Sequence, residues 1–280
     1  MSVMINPNHE EPATLNTFFA SLIKNRQLIY QMSKREVIGR YKGSIMGLTW
    51  SLFNPVLMLT IYTFVFSVVF KAKWGSIGGE SNTQFALILF VGMIVFGLFS
   101  EAINRAPSLI LGNVNYVKKV VFPLEILPII SLGASLFHAL ISMFVLIVAS
   151  TFFNGQLHWT IIFLPLIITP LLMFALGLSW ILASLGVYLR DVGQIIGTLT
   201  SILMFLSPVF YPIEALPVKF QSWMIFNPLS FVIEESRNVV ILGVMPDWRG
   251  LFSYALFALV FMQIGYFWFQ KTRKGFSDVL

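Results

Sequence analysis

The chain contains no cysteine, and only 11% of its 280 residues are charged. The first absence excludes disulfides, thiolate metal sites and a cysteine nucleophile. The second sets the chain apart from soluble domains, in which about a quarter of residues carry charge. Charge is missing altogether from six long stretches: 43–70, 83–100, 126–156, 159–189, 192–213 and 250–270. A nucleotide-binding P-loop is missing too. It needs Lys followed by Ser or Thr behind a glycine-rich turn, and the one such pair, Lys271-Thr272, follows Gln270. No carboxylate pair or Ser/His/Asp group is placed for hydrolysis, so the chain reads as a non-enzyme. Its first 20 residues lack the short apolar core of a cleavable signal peptide.

Hydrophobic residues make up 57% of the chain, and its mean hydropathy is +0.83. Each uncharged stretch reaches the roughly 18 residues of a spanning helix. In lipid the backbone must satisfy its own hydrogen bonds, so the stretches are expected to be helices. The spacing predicts an all-α, polytopic membrane protein with six transmembrane helices. Third and fourth spans are joined by a tight polar turn at 154–156. Segment 1–43 precedes a membrane domain at 44–280.

Six crossings place both termini on one side. Thirteen of the 18 basic residues then fall on that side and five on the other, with Lys71 and Lys73 against the trend. Basic residues mark the cytoplasmic face. The net charge of +6 thus reports topology rather than nucleic-acid binding.

Two segments are not expected to span. Residues 15–42 mix apolar positions with Lys24, Arg26, Lys34 and Arg35, and read as an amphipathic helix on the inner surface. Residues 223–233 are apolar but broken by Asn227-Pro228. With Pro208, Pro212 and Pro217 ahead of them, they predict short broken helices on the outer face. The run Glu234–Arg237 is expected to return to water.

Buried ionisable groups, which ion-driven carriers use as relays, are nearly absent from the spans. His138 is the exception, read as a neutral imidazole bonded to a neighbouring helix. Glu101 and Arg105, four apart, are expected to pair with each other. Arg190 and Asp191 form an inner turn whose charges are expected to pair.

The string REVIGRYKGSIMGLTWSLFNPVLMLTIYTFVFSVVF at 35–70 resembles the membrane subunits of ABC-2 type polysaccharide exporters. The likeness extends through Phe122-Pro123-Leu124-Glu125, Leu189-Arg190-Asp191, Ser207-Pro208 and Asn227-Pro228-Leu229, and so covers nearly the whole chain. The resemblance implies a homodimer bound to two copies of a separate ATP-hydrolysing subunit. That dimer carries a lipid-linked glycan such as an O-antigen across a bacterial inner membrane. It implies no cofactor in this chain, ATP and Mg belonging to the partner, with membrane lipids as further contacts.

Candidate roles follow. Arg35, Arg40 and Lys42 suit the pyrophosphate of a lipid carrier, since guanidinium groups match phosphate oxygens; the plainer reading is positive-inside charge. Tyr62, Phe66 and Phe70, four residues apart, share one helix face. Such a face suits sliding sugars or simply helix packing. Asn115, Tyr116, Lys118 and Lys119 lie in a short loop suited to coupling with the ATPase, or only to topology. Pro208, Tyr211, Asn227 and Pro228 suit an outer gate, or a loop packed on the surface. Competing functions are export of a small drug or lipid, a non-transporting scaffold for glycan assembly, and an ion-driven carrier.

Overall fold

The computed structural model of the chain describes residues 15–69, 82–118, 122–155 and 157–280. All regular structure in these residues is helical, because apolar runs of this length leave each backbone group no partner but its own helix. In chain order the α-helices are α1 (Leu15–Tyr41), α2 (Trp50–Tyr62), α3 (Asn82–Arg105), α4 (Val114–Lys118), α5 (Ile126–Asn154) and α6 (Leu164–Tyr188). They continue as α7 (Val192–Leu206), α8 (Val218–Gln221), α9 (Pro228–Arg237), α10 (Trp248–Thr272) and α11 (Phe276–Val279). Hydroxyls in the apolar stretches bond back to the preceding turn, as Thr60 does to the Val56 carbonyl and Ser184 to that of Trp180.

Among the described residues five helical stretches are long and apolar enough to cross a membrane: Gly47–Phe66, Gln84–Ser108, Ile126–Phe153, Trp159–Tyr188 and Trp248–Val279. The stretch expected to supply a further crossing, 192–213, is only partly helical. Its helix, α7, has 15 residues, ~22 Å at the α-helical rise against a hydrocarbon core of about 30 Å. It stops where Ser207 turns extended, as a residue before proline tends to do.

The bundle is built around α3. In its most apolar window 78% of residues are buried, against 11% in the first span. α6 and α10 lie side by side and run parallel. Their starts meet through Phe163 and Trp248, with ring centroids 5.3 Å apart, and their ends through the Tyr188 hydroxyl, which donates to the Thr272 carbonyl at 3.0 Å. Midway, Gly177 and Gly265 let the two backbones touch. A Cβ on Gly265 would overlap the Gly177 carbonyl, and one on Gly177 would come within 2.8 Å of Met262 Cα. Small residues permit such close approach where lipid supplies no hydrophobic drive between helices.

The expected N-terminal helix is present as α1, and it docks as well as exposing polar residues. Phe18 is buried, edge-on to Trp180 at 5.3 Å and 5.5 Å from Tyr266. Glu125, at the start of α5, accepts from Ser21 of α1 at 3.2 Å and from Arg273, just past α10, at 3.1 Å. Arg190 and Asp191 are both exposed and form no ion pair among the described residues, so the expected pairing there is not found.

The α6–α10 contact generates the first prediction. Gly265→Val inserts a branched side chain against backbone, and overpacking of this kind costs roughly 1–3 kcal/mol or more. The thermal midpoint of the purified protein should fall clearly. Gly197→Ala, where the added Cβ meets nothing within 4 Å, should leave it unchanged.

Candidate functional site

α1 ends at Tyr41 because Gly43 adopts a left-handed conformation, φ 87°. The Ser44 hydroxyl then accepts from the Gly47 amide at 3.0 Å and turns the chain into α2. This sets the last turn of α1 against the end of α3. Glu36 and Arg40 are four apart on α1, Glu101 and Arg105 four apart on α3, and they pair crosswise: Arg40 with Glu101, Arg105 with Glu36. The expected Glu101–Arg105 pair is only a 4.0 Å approach. Each of these residues finds its closer partner on the other helix, where an oppositely charged side chain faces it directly.

His138 of α5 closes the cluster from below. Its Nδ1 lies 3.0 and 3.1 Å from the two Glu101 oxygens, and its Nε2 3.2 Å from the Tyr41 hydroxyl. The Arg40 guanidinium also approaches Nδ1, at 3.1 Å, so the imidazole lies within reach of both charges. Burial raises the Tyr41 phenol above its ordinary range and keeps it a donor. The expected bond from His138 to a neighbouring helix is present, to Glu101 of α3. Burial likewise raises the Glu36 carboxyl, against the opposing pull of Arg105.

The cluster forms the mouth of a cavity of about 380 Å³ between α2, α3 and α5. Beyond Arg40, Glu101 and His138 it is lined by Ser51, Asn54, Ser135 and Ser142, and farther in by Tyr62 and Phe90. From Glu101 to Phe90 α3 rises ~16 Å. An anion at the mouth meets an Arg40 guanidinium that Glu101 already holds through one nitrogen. Hydroxyls and an amide follow, then aromatic surface.

The sequence-predicted residues separate. Arg40 and Tyr62 share this cavity. Arg35 lies roughly 140° around α1 from Arg40 by helical geometry. It and Lys42 are exposed cations. Phe66 packs on Phe85 with centroids 5.5 Å apart; Phe70 lies outside the described residues. Asn115 and Lys118 are exposed on α4, Tyr116 stacks on Phe122 at 4.4 Å, and Lys119 lies outside the described residues. α4 packs against α11 near the chain end. Glu36 and Tyr41 were not singled out from sequence. Only the i, i+4 spacing of Glu36 and Arg40, mirrored in Glu101 and Arg105, signalled a facing pair.

At the opposite end of α3 a second polar cluster forms. Asn227 caps α9: its Oδ1 accepts from the Leu229 amide at 3.0 Å, while its Nδ2 donates to Ser207 at 2.9 Å. Pro228 starts that helix, Pro208 is buried, and the Tyr211 hydroxyl donates to the Phe205 carbonyl at 3.2 Å. The four predicted gate residues thus lie around the junction of α7 and α9, amid the expected short helices.

The expectation that Glu234–Arg237 returns to water is wrong. Arg237 is 2% exposed. It donates to the carbonyls of Ile88 at 3.1 Å and Val209 at 2.9 Å, and pairs with Glu234 at 2.9 Å. Burial lowers its pKa to about 10 despite the opposing pull of Glu234 and Glu214. It therefore stays charged at neutral pH. The run is polar because it bolts α9 to α3, not because it faces solvent.

The sequence profile of the ABC-2 type transporter family matches residues 27–241. The chain is 26% identical to the O-antigen export system permease protein RfbA of Myxococcus xanthus, over 92% of this chain and 96% of that one. It is 25% identical to the polysialic acid transport protein KpsM of Escherichia coli, over 82% and 88%. With the capsule polysaccharide export inner-membrane protein CtrC of Neisseria meningitidis it shares 25% over 92% and 96%.

The buried arginine yields the second prediction. Arg237→Met leaves Glu234 without its cation and removes the guanidinium bonds to the Ile88 and Val209 carbonyls. Breaking a buried pair from one side costs about 3–5 kcal/mol, so thermal unfolding should move to markedly lower temperature. The double variant Glu234→Gln, Arg237→Met should recover part of that loss, because no uncompensated charge remains.

Proposed function

The chain belongs to the ABC-2 type transporter family, and from that premise we propose that it is the permease subunit of a polysaccharide exporter in a bacterial inner membrane. The observation that carries this reading is its near end-to-end similarity to export permeases from several bacteria, each named for a polysaccharide cargo. The cargo is a lipid-linked glycan of the O-antigen kind. Two copies of the chain work with two copies of a separate ATPase, on which ATP and Mg act. Both termini face the cytoplasm.

Six crossings complete the topology. The parallel run of α6 and α10 supports this: a chain that leaves one end of α6 must return to the other side before α10 begins. α7 and the short helices after it are the segment available for that return. The exposed surface of α2 gives the second copy a face to cover.

The α1 end is the cytoplasmic one. There Arg40 takes the pyrophosphate of the lipid carrier at the cavity mouth, with Arg35 and Lys42 as outlying positive charge that draws it in. Tyr62 offers aromatic surface to the sugars from the cavity wall, while Phe66 is taken up by its packing on Phe85. The loop of Asn115, Tyr116, Lys118 and Lys119 receives the ATPase, and α4 passes its movement to α11 and thence to Arg273, Glu125 and α1. At the far end Pro208, Tyr211, Asn227 and Pro228 form the gate.

The test is surface glycan on intact cells carrying Arg40→Ala with Lys42→Ala, at matched protein levels. A charge-assisted hydrogen bond is worth about 1.5–3 kcal/mol, so export should drop by roughly tenfold or more. Undiminished export removes the collar from the mechanism. In a deletion strain, lipid-linked glycan should accumulate inside the cell; accumulation of a small amphiphile instead would favour a drug or lipid exporter.

A further inference from the structure

We propose that Glu101 is a specificity filter for the anion taken by Arg40: it occupies the guanidinium against singly charged phosphodiesters and yields it to a diphosphate. The inference rests on the reading of Arg40 as the pyrophosphate ligand. Arg40 sits at the mouth of the cavity with its side chain about half exposed, 51%. At a membrane interface such a group meets bulk phospholipids far more often than a rare carrier lipid. A free guanidinium there binds whichever phosphate arrives first.

Glu101 alters that competition. It contacts Arg40 directly, while its own exposure is 19%. A phosphodiester brings one negative charge and would replace one negative charge, so the exchange gains little. The diphosphate of a glycan-bearing lipid brings two charges on adjacent phosphorus atoms, and a guanidinium fork grips such oxygens in pairs.

The released carboxylate is not left stranded. His138 Nδ1 remains within 3.1 Å of both its oxygens, and Arg105 stands 4.0 Å away. Those are the groups facing it from α5 and α3; from α1 come Arg40, the Tyr41 hydroxyl bonded to the same histidine, and the Glu36 carboxylate, which shares Arg105 and repels Glu101. Arg35 and Lys42 form no ion pair among the described residues, and serve attraction rather than choice.

The test uses the full-length chain in lipid nanodiscs, measuring binding of labelled undecaprenyl diphosphate as phosphatidylglycerol replaces phosphatidylcholine. Wild-type binding should hold steady across the series. Glu101→Gln should bind the diphosphate roughly tenfold tighter in neutral discs, the step one charge-assisted bond is worth, and lose that gain as phosphatidylglycerol rises. Glu101→Asp, which keeps the charge but retracts it by one methylene, should fall between. It decides the question should the Gln variant fail to fold. If Arg40→Ala abolishes binding while both Glu101 variants discriminate like wild type, the filter is overturned and the Arg40 site stands. If Arg40→Ala binds like wild type, the site reading falls and the filter with it.

Discussion

Lack of water in the bilayer core is the constraint from which the rest of this structure follows. Every backbone group must find its partner within the chain, so the described residues are helical, and their hydroxyls fold back onto their own carbonyls. Side chains with charge are pushed to the helix ends. There they collect in two clusters at opposite ends of α3, Glu101 with Arg40 and His138 at one, Arg237 with Ile88 and Glu234 at the other. The distance from Ile88 to Glu101 along α3 is ~20 Å. The most buried helix is therefore also the element to which both polar clusters are fastened.

Packing in such a chain cannot draw on the hydrophobic effect between helices. Contact has to be close instead. Gly177 against Gly265, and Gly186 against Pro107, join α6 to α10 and to the turn after α3 through backbone-to-backbone approach. α2 stands apart, with little of its surface covered by the rest of the chain. A closely packed α3–α6–α10 core thus stands beside a loosely covered α2. That contrast explains why the cavity opens between α2 and its neighbours rather than inside the core.

The two cations at the end of α1 illustrate how position sets chemistry. Arg40 and Lys42 are two residues apart, yet one is paired with a carboxylate and the other forms no ion pair among the described residues. A charged residue with a built-in counter-ion is selective because a ligand must outbid that ion; a bare one is only attractive. Likewise Tyr62 and Phe66 share a spacing but not a setting, since one borders the cavity and the other packs on Phe85.

The sequence alone determined where helices form, because uncharged length is a local property and lipid admits one local answer. It also fixed the long N-terminal helix and the breaks around Pro208 and Asn227, each written in adjacent residues. Tertiary structure alone decided which charges meet. Glu101 keeps Arg105 at 4.0 Å but finds its nearer cation 61 positions away, and Arg237 is buried against a carbonyl 149 positions away rather than left in water. It also shortened the helix expected from 192–213. Partner choice depends on distances between helices packed in three dimensions, and no reading of neighbours along the chain contains those distances.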